Sequence, residues 1–403
     1  MKQKLSLTFL YYLRFLAQLQ LTKIKFLSQL KYKQPLTIVG ITGSAGKTST
    51  LLAIISAIQP HFKIKHNLGA NSESGIPLNI LDIKIKQYTL FNWLKITFLA
   101  PLKLLISWPS YQIYLVEMGI DAPFLPKNMD YLLTIVKPQI AVFLNVSPVH
   151  LFNFDNIDQI AQQKAKIFNY AKYAIINPQD KLVKKSSQKL TIPVIPIQPT
   201  PIKLKLQLTP SIYQISFGAS IAIAKLLGIN KTIAIKNIQK NFQLPPSRAS
   251  VFKGIKNSTI IDSSYNSSPL ACQELLKFLS KFKPPRLAVL GDMRELGQQT
   301  ASAHRQLYKL ALQQADQIIS VGPLTQKYFG SQAKKFTYWW QASNYILKNL
   351  AHHSTILIKG SQNTIFLEEI VKQLLANKKN IKSICRQSNY WLQLKSKFKQ
   401  TNS

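Results

Sequence analysis

The chain has 403 residues, 46% of them hydrophobic and 17% charged, which excludes an intrinsically disordered protein and allows two or three domains with sizeable cores. Its two cysteines are far apart and outside any C-x-x-C motif, which excludes a disulfide scaffold. Lysine and arginine outnumber aspartate and glutamate by 52 to 15, a formal charge of +37, so the surface attracts nucleotides, nucleic acid or anionic lipid. The basic residues are spread along the whole chain, which indicates a generally basic surface and argues against a specific nucleic-acid-binding domain.

Residues 1–35 form a basic, apolar N-terminal segment that is predicted to be helical to about Leu21. The segment is not expected to be a signal peptide, because Arg14 interrupts its apolar run and no small-residue cleavage site follows. A second apolar stretch, Tyr88 to Trp108, contains two lysines and is interrupted by Pro101, which disfavours a membrane-spanning helix. Both stretches either pack as ordinary core helices or lie on a membrane surface.

From Leu36 to about Pro245, apolar runs alternate with helix-like segments, a pattern that predicts a mostly parallel sheet covered by helices. The predicted strands of this region are Leu36–Ile41, Ile113–Val116, Ile140–Leu144 and Ala174–Ile176. Alternating apolar and polar residues between Pro193 and Pro210 predict an antiparallel edge hairpin. Pro245 and Pro246 mark the expected hinge to a second unit.

The second unit is predicted to be a smaller doubly wound α/β domain, ending in a helix beyond Ile381. Its predicted strands are Thr259–Asp262, Arg286–Leu290, Gln317–Val321 and Thr355–Ile358. The predicted fold class is therefore α/β, with a P-loop-containing central domain at 36–245 followed by a C-terminal domain at 246–403.

A glycine-rich loop between the first predicted strand and a helix-like segment is the strongest motif in the chain. Its sequence is Thr42-Gly43-Ser44-Ala45-Gly46-Lys47-Thr48-Ser49, the shorter T-G-x-x-G-K-T form of a phosphate-binding loop. Small residues let backbone N–H groups turn toward a polyphosphate, Lys47 can reach the terminal phosphates, and the Thr48 hydroxyl can ligate Mg²⁺. ATP with Mg²⁺ is the predicted ligand, and a glycine-rich turn without nucleotide is the alternative.

Other candidate residues follow predicted strands of the same region. Glu117 emerges where the strand from Ile113 ends, and in a chain this poor in acids it is a candidate Mg²⁺ ligand. His150 is a candidate metal ligand, or else a hydrogen-bonded loop residue. From their surroundings alone, Lys164 and Lys166 look like a solvated helix face.

Polar loops follow three predicted strands of the second unit. The loop from Asp262 to Pro269 contains Tyr265 and Asn266 and can hydrogen-bond a ribose and an adenine edge, unless it is an Asx-rich turn. Similar loops follow the strands that end at Leu290 and Ile358. The three loops predict a single ligand-facing edge.

Taken together, these motifs resemble the Mur ligase family over about Leu36 to Val371. The matching residues are Thr42–Ser49, Gly75–Leu78, Glu117–Gly119, His150, Lys164 with Ile167 and Phe168, Arg248, Asp262 with Tyr265, Asn266 and Pro269, Leu290–Met293 with Glu295–Gly297, His304, and Lys359–Ser361. The resemblance implies an ATP-dependent amide ligase of peptidoglycan precursor synthesis that adds D-alanyl-D-alanine to a muramoyl-tripeptide carboxylate through an acyl phosphate. The nucleotide site indicates a cytoplasmic protein, at the inner face of the membrane if the N-terminal segment binds lipid.

The resemblance also implies roles for individual residues. Lys47 binds the β- and γ-phosphates, and Lys164 is a carbamate that serves as a metal ligand. Thr48, Glu117 and His150 are further Mg²⁺ ligands; Arg248 reaches the γ-phosphate, Asp262 the ribose and Asn266 the nucleotide.

The sequence departs from the family in two ways. Only residues 1–35 precede the first strand, where an N-terminal domain that recognises a UDP-sugar is expected, so a Mur-like ligase with another acid and amine is an alternative. Tyr213 and Phe217 replace polar groups expected near adenine. Outside this enzyme class, the alternatives are a nucleic-acid-associated P-loop NTPase and a non-catalytic nucleotide-binding protein, the latter disfavoured by the second-metal ligands.

Overall fold

The computed structural model describes residues 2–85, 90–148, 153–204, 212–360 and 365–402. These residues form two compact units, one drawn from within residues 1–242 and the other chiefly from 243–403. Each unit contains a predominantly parallel sheet covered by helices, so the predicted α/β class is confirmed.

The first unit contains a parallel sheet in which the described strands are ordered β2-β3-β1-β4-β5-β6. Strands β1, β3 and β4 are continuous apolar runs because both faces of a parallel sheet are covered, and every residue of β3 and β4 is buried. The strands are β1 (Thr37–Thr42), β2 (Ile64–His66), β3 (Ile113–Glu117), β4 (Ile140–Phe143), β5 (Tyr173–Ile176) and β6 (Val194–Pro196).

Strand β1 lies between β3 and β4, with Ile41 opposite Glu117 and Thr42 opposite Phe143. The strand order reverses here, and such switch points are where open α/β sheets bind ligands. The helices of this unit are α1 (Lys2–Tyr32), α2 (Lys47–Ile58), α3 (Gly75–Ile80), α4 (Leu90–Ile106), α5 (Met129–Ile135), α6 (Ile157–Ala165), α7 (Lys181–Ser187), α8 (Ile212–Leu226) and α9 (Lys231–Asn241), with a 3-10 helix at Lys166–Tyr170.

Helix α4 runs through Pro101, where the sequence predicted an interruption. A proline leaves the carbonyl four residues earlier without its helical donor, which here is that of Thr97. The Tyr12 hydroxyl, on α1, donates to this Thr97 oxygen at 2.7 Å and satisfies it. Helix α1 likewise extends to Tyr32, well past the predicted end near Leu21. Among the described residues, no helix combines the length and apolar character that crossing a bilayer requires.

The predicted antiparallel hairpin between Pro193 and Pro210 is wrong where the structure describes it. Strand β6 pairs in parallel with β5, placing Val194 opposite Ala174 and Pro196 opposite Ile176. The alternating residues begin at Ile202, beyond the end of β6, so the strand that does form here is not the alternating segment. Residues 205–210 of this prediction lie outside the described residues.

The second unit contains a sheet whose described strands are ordered β11-β10-β9-β12-β8-β7, and β7 pairs antiparallel at one edge. Its strands are β7 (Ser250–Lys253), β8 (Thr259–Ser263), β9 (Arg286–Gly291), β10 (Gln317–Val321), β11 (Ala333–Phe336) and β12 (Thr355–Lys359). Its helices are α10 (Pro269–Leu279), α11 (Thr300–Gln314), α12 (Pro323–Tyr328), α13 (Trp339–Asn349), α14 (Glu368–Leu374) and α15 (Asn389–Asn402), with 3-10 helices at Ile255–Asn257, Gly297–Gln299 and Lys378–Ser383. The predicted C-terminal helix corresponds to α15.

Candidate active site

The glycine-rich loop connects β1 to α2 at the switch point of the first sheet. Gly46 precedes the first turn of α2 with a φ of 82°, a left-handed conformation that an L side chain would strain. Asn145, just past β4, holds the loop from the neighbouring strand. Its side chain accepts from the Ala45 N–H at 2.8 Å and donates to the Ala45 carbonyl at 3.0 Å, while its backbone carbonyl accepts from the Ser44 N–H at 3.0 Å. The loop is thus fixed with the N-terminus of α2 open to an anion.

Two lysine ammonium groups converge on one carbonyl of this loop. The Nζ atoms of Lys47 and Lys164 donate to the Gly43 oxygen at 2.9 Å and 3.3 Å. Burial lowers the pKa of Lys164 well below its ordinary value, the nearby Lys47 charge lowers it further, and Asp121 acts in the opposite direction. The environment of Lys164 therefore disfavours its charged form next to the Lys47 cation.

The interpretation of Lys164 and Lys166 as a solvated helix face is wrong for Lys164, which is only 2% exposed. Lys164 lies on the inner face of α6, whereas Lys166 is partly exposed and pairs with Asp130 at 2.5 Å. The difference arises because two positions along a helix turn the side chains by about 200°.

Glu117, at the end of β3, lies against the start of α2. Its Oε2 accepts from the Thr48 hydroxyl at 3.0 Å, and its Oε1 accepts from the Asn71 amide at 2.9 Å. Asn67 fixes the backbone beneath, accepting from the Glu117 N–H at 2.7 Å and donating to its carbonyl at 2.9 Å. A buried carboxylate and a hydroxyl so placed are hard oxygen ligands of the kind Mg²⁺ prefers.

The structure brings the predicted residues Lys47, Thr48, Glu117 and Lys164 together around the loop, whereas His150 lies outside the described residues. Ser49 continues α2 and is buried. Three asparagines of the site, Asn67, Asn71 and Asn145, were not predicted from the sequence. Their only sequence signal is that Asn145 comes directly after the apolar run that contains β4.

In the second unit, the three polar loops leave one edge of the sheet. Strand β12 lies between β8 and β9, so Ile358 is opposite Asp262 and Lys359 is opposite Leu290. Lys359 is buried and donates to the Asn266 carbonyl. Burial lowers the pKa of Lys359 to about 8. The shared edge is confirmed, and the Asn266 side chain is exposed on it.

Asp262 is fully buried in a ring of hydroxyl donors. Its Oδ2 accepts from the Ser247 hydroxyl at 2.7 Å, and its Oδ1 accepts from the Ser264 hydroxyl at 2.7 Å and the Ser264 N–H at 3.0 Å. Burial raises the pKa of Asp262, although these hydrogen bonds oppose the shift. In this conformation both carboxylate oxygens already accept hydrogen bonds within the unit.

Arg248 lies in a strained stretch of backbone. Ser247 and Ala249 on either side have φ values of 54° and 65°, which non-glycine residues rarely adopt and which cluster at functional sites. The Arg248 guanidinium carbon lies 4.6 Å from the centroid of the Tyr265 ring. Tyr265 thereby supports the arginine from the loop after β8.

A buried ionic cluster joins the C-terminal tail to this same loop, and it was not predicted from the sequence. Arg386 donates to Glu368 at 2.7 Å and to the Tyr265 carbonyl at 2.5 Å. Lys395, on α15, pairs with Glu369 and lies 3.6 Å from Glu368. Ser247 accepts from the Cys385 N–H at 3.0 Å, so the tail also fixes one of the hydroxyl groups that donate to Asp262.

Tyr213 and Phe217, which replace polar groups expected near adenine, are core residues. Both are buried in the first unit, and their rings pack on Phe242 at centroid distances of 5.8 Å and 5.1 Å. His304 is also structural, since its Nε2 accepts from the Met293 N–H at 3.0 Å. Burial lowers the pKa of His304 and keeps it neutral in this role.

A phosphate-binding loop at the switch point of one α/β unit, followed by a second α/β unit, defines a two-unit nucleotide-binding enzyme. Family models bear this out: the Mur ligase middle domain matches residues 41–241, and the Mur ligase glutamate ligase domain matches residues 247–362. The chain belongs to the Mur ligase family.

Among its relatives is the UDP-N-acetylmuramoyl-tripeptide--D-alanyl-D-alanine ligase of Buchnera aphidicola subsp. Baizongia pistaciae, 25% identical over 87% of this chain and 78% of the relative. The ligase of the same name from Escherichia coli K12 is 23% identical over 85% of this chain and 78% of its own length. The crystal structure of MurF ligase from Thermotoga maritima in complex with ADP has the same fold, with a TM-score of 0.70 and 19% identity over 90% of this chain and 84% of that chain.

Membership of this family makes the protein an ATP-dependent amide ligase that uses Mg²⁺, as the sequence predicted. The donors around the loop fit both groups, because the N-terminus of α2 and Lys47 suit phosphates while Thr48 and Glu117 suit a hard cation. The matched region ends at residue 362, so the tail that carries Arg386 and Lys395 lies beyond it.

Proposed function

We propose that this protein joins D-alanyl-D-alanine to the free carboxylate of UDP-N-acetylmuramoyl-tripeptide at the expense of ATP. The reaction is a step of peptidoglycan precursor synthesis. We place the protein in the cytoplasm because the reaction uses ATP. Support comes from relatives of that name, which this chain matches over more than three quarters of their length.

The observation that carries the proposal is the convergence of Lys47 and Lys164 on the Gly43 carbonyl, next to the Thr48 and Glu117 pair. A nucleotide-binding module needs the first lysine for phosphate but has no use for a second, fully buried amine. A neutral amine reacts with carbon dioxide to give a carbamate, which replaces a buried cation with an anionic oxygen ligand. We propose this modification for Lys164.

In the proposed reaction, the substrate carboxylate takes the terminal phosphoryl group of ATP, so a carboxyl O–P bond forms and the bond from that phosphorus to ADP breaks. The amine of D-alanyl-D-alanine then attacks the acyl carbon, the C–N bond forms, phosphate leaves with the acyl oxygen, and the amine proton is lost to solvent. Lys47 neutralises charge on the transferred group and Glu117 orients the Thr48 hydroxyl. Thr48 and Glu117 would hold one Mg²⁺, and carbamylated Lys164 would be a further metal ligand; the bound metal would supply charge stabilisation to the phosphoryl group.

The other residue roles remain predictions from the resemblance: His150 as a ligand of a second Mg²⁺, Arg248 at the γ-phosphate, Asp262 at the ribose and Asn266 at the nucleotide. For Asp262 we expect the Ser247 and Ser264 hydrogen bonds to rearrange if its carboxylate meets a ribose. We retain the proposed division into residues 1–35, 36–245 and 246–403.

The proposal is tested by phosphate release from Mg-ATP with each substrate omitted in turn. Release that needs both substrates supports it, and Lys47→Ala should abolish that release while Lys181→Ala, an exposed lysine of the same unit, leaves it unchanged. Release that requires another acid and amine supports a Mur-like ligase of different specificity. Stimulation by DNA or RNA, steeply reduced by salt, would instead indicate a nucleic-acid-associated NTPase.

A further inference from the structure

Helices α1 and α4 each expose an apolar stripe on the side that faces away from their packed core. On α4 the stripe repeats at intervals of four, four and three residues, which places its members on one helix face. Phe98 is the most exposed, at 76%, and the members are Leu94, Phe98, Leu102 and Leu105. The opposite face, with Ile96 and Ala100, is buried against α1.

Helix α1 repeats this arrangement over about five turns. Its exposed stripe consists of Tyr11, Phe15, Leu19, Phe26 and Leu30, spaced by four or seven residues. Its buried face includes Leu13, Ala17 and Ile24. Both helices are therefore apolar on the outside as well as the inside, which is unusual for helices at a water-exposed surface.

Side chains of α1 fix α4 in place, so the outer faces are not free to turn inward. Tyr12 donates to the Thr97 carbonyl, which has no helical donor because of Pro101, and Gln20 donates to the Ser107 carbonyl at 3.3 Å. Lys23 donates to the Leu104 carbonyl, and its ammonium lies 4.3 Å from the centroid of the Trp108 ring. Trp108 is itself 66% exposed, beside the apolar stripe.

The charge of the two helices indicates which kind of partner this surface binds. Helix α1 contains six lysine or arginine residues and α4 two, whereas neither contains an acidic residue. A second copy of the chain would bring the same basic surface and a charge of +37, which opposes self-association. Apolar stripes flanked by lysines, with a tryptophan at the edge, match a bilayer interface rich in anionic headgroups.

We infer that the outer faces of α1 and α4 form a docking surface for an anionic bilayer, with the apolar stripes in the headgroup and acyl boundary. We call it the α1–α4 surface. It holds the ligase at the membrane, since its lysines attract the lipid and its leucines and phenylalanines anchor it.

The test is cosedimentation of the full chain with vesicles of phosphatidylglycerol and phosphatidylcholine, compared with phosphatidylcholine alone. The variant Phe98→Gln, Leu102→Gln, Leu105→Gln removes apolar stripe residues without changing charge. The matched control is Ile233→Gln, Leu312→Gln, which removes exposed apolar side chains elsewhere. Brominated acyl chains report insertion, because they quench tryptophan fluorescence only from within the bilayer.

We expect the wild type and the control to bind the anionic vesicles, and the triple variant to bind at least tenfold more weakly. Brominated lipid should quench the wild type more than Trp108→Phe. Equal binding by the triple variant would overturn the inference, because the general basic charge would then explain adsorption. If the wild type instead binds no vesicles and is a dimer in light scattering, and the triple variant is a monomer, the surface binds a second copy of the chain and the inference is overturned.

Discussion

The buried ionic cluster of the C-terminal tail allows a quantitative prediction. Glu368 is fully buried and its carboxylate depends on Arg386 at 2.7 Å and Lys395 at 3.6 Å. Arg386→Met keeps much of the side-chain volume but leaves the fully buried Glu368 with Lys395 as its remaining partner, which it shares with Glu369. Glu369 has a second partner in the partly exposed Lys372 at 3.5 Å. The substitution also removes the hydrogen bond to the Tyr265 carbonyl.

Removing one partner of a buried ion pair costs about 3–5 kcal/mol, because the remaining charge is left without compensation. We therefore expect Arg386→Met to destabilise the second unit by that amount. The double variant Arg386→Met, Glu368→Gln restores charge balance with Lys395 and Glu369, and should recover at least half of the loss. Arg286→Met is the control, since Arg286 pairs with Asp316 at 2.9 Å near the surface and such pairs contribute about 0–1 kcal/mol.

The pH dependence has a defined sign. Burial raises the pKa of Glu368, and Arg386 opposes that rise. Without Arg386 the pKa of Glu368 in the folded state rises further above its value in the unfolded state. The variant therefore loses stability as pH increases from the unfolded to the folded pKa of Glu368. The deficit of Arg386→Met should thus be smaller at pH 5 than at pH 8 in urea unfolding monitored by tryptophan fluorescence. A deficit below about 1 kcal/mol, or one that grows toward pH 5, would refute the reasoning.

Variants at three other positions test the site. Asn71→Ala removes the amide that holds the Glu117 carboxylate. The variant should raise the Mg²⁺ concentration needed for half-maximal phosphate release by about 10-fold to 100-fold. The control, Asn241→Ala, should leave that concentration unchanged. Lys164→Met and Lys164→Arg should both abolish ligation, but only the arginine, which stays charged when buried, should also lower the melting temperature. Equal melting temperatures would show that this buried position tolerates a fixed cation, against the burial effect on Lys164. The folded pKa of Lys359 is about 8, below its unfolded value, so this group should add about 3 kcal/mol to the free energy of unfolding as pH rises from 8 to 10.5. In unfolding titrations, Lys359→Met should remove this rise of stability with pH. The same rise in the variant would contradict the prediction.

Buried parallel strands were predictable because continuous apolar runs bounded by turns are typical of strands that are covered on both faces. Strands β3, β4, β9 and β10 lie within a residue or two of their predicted bounds. Edge strands such as β2, β7 and β11 were missed, since they are short and one side of each lacks a neighbour.

Side-chain environment was less predictable than backbone. The phosphate-binding loop and Glu117 could be predicted because each follows a strand in sequence. The burial of Lys164 could not be predicted from its neighbours, because α6 must first pack on the loop. The continuation of α4 through Pro101 likewise depends on Tyr12, which is distant in sequence. Pairing of Arg386 with Glu368 is a tertiary contact of the same kind.

The most direct test of the ligase mechanism uses UDP-N-acetylmuramoyl-tripeptide labelled with ¹⁸O in its free carboxylate. After incubation with Mg-ATP and D-alanyl-D-alanine, mass spectrometry is applied to the peptide product and to the released phosphate. We predict the joined peptide together with one ¹⁸O atom in each phosphate released, because the acyl oxygen leaves with phosphorus. Unlabelled phosphate with no joined product would contradict the proposed reaction and leave only an ATPase.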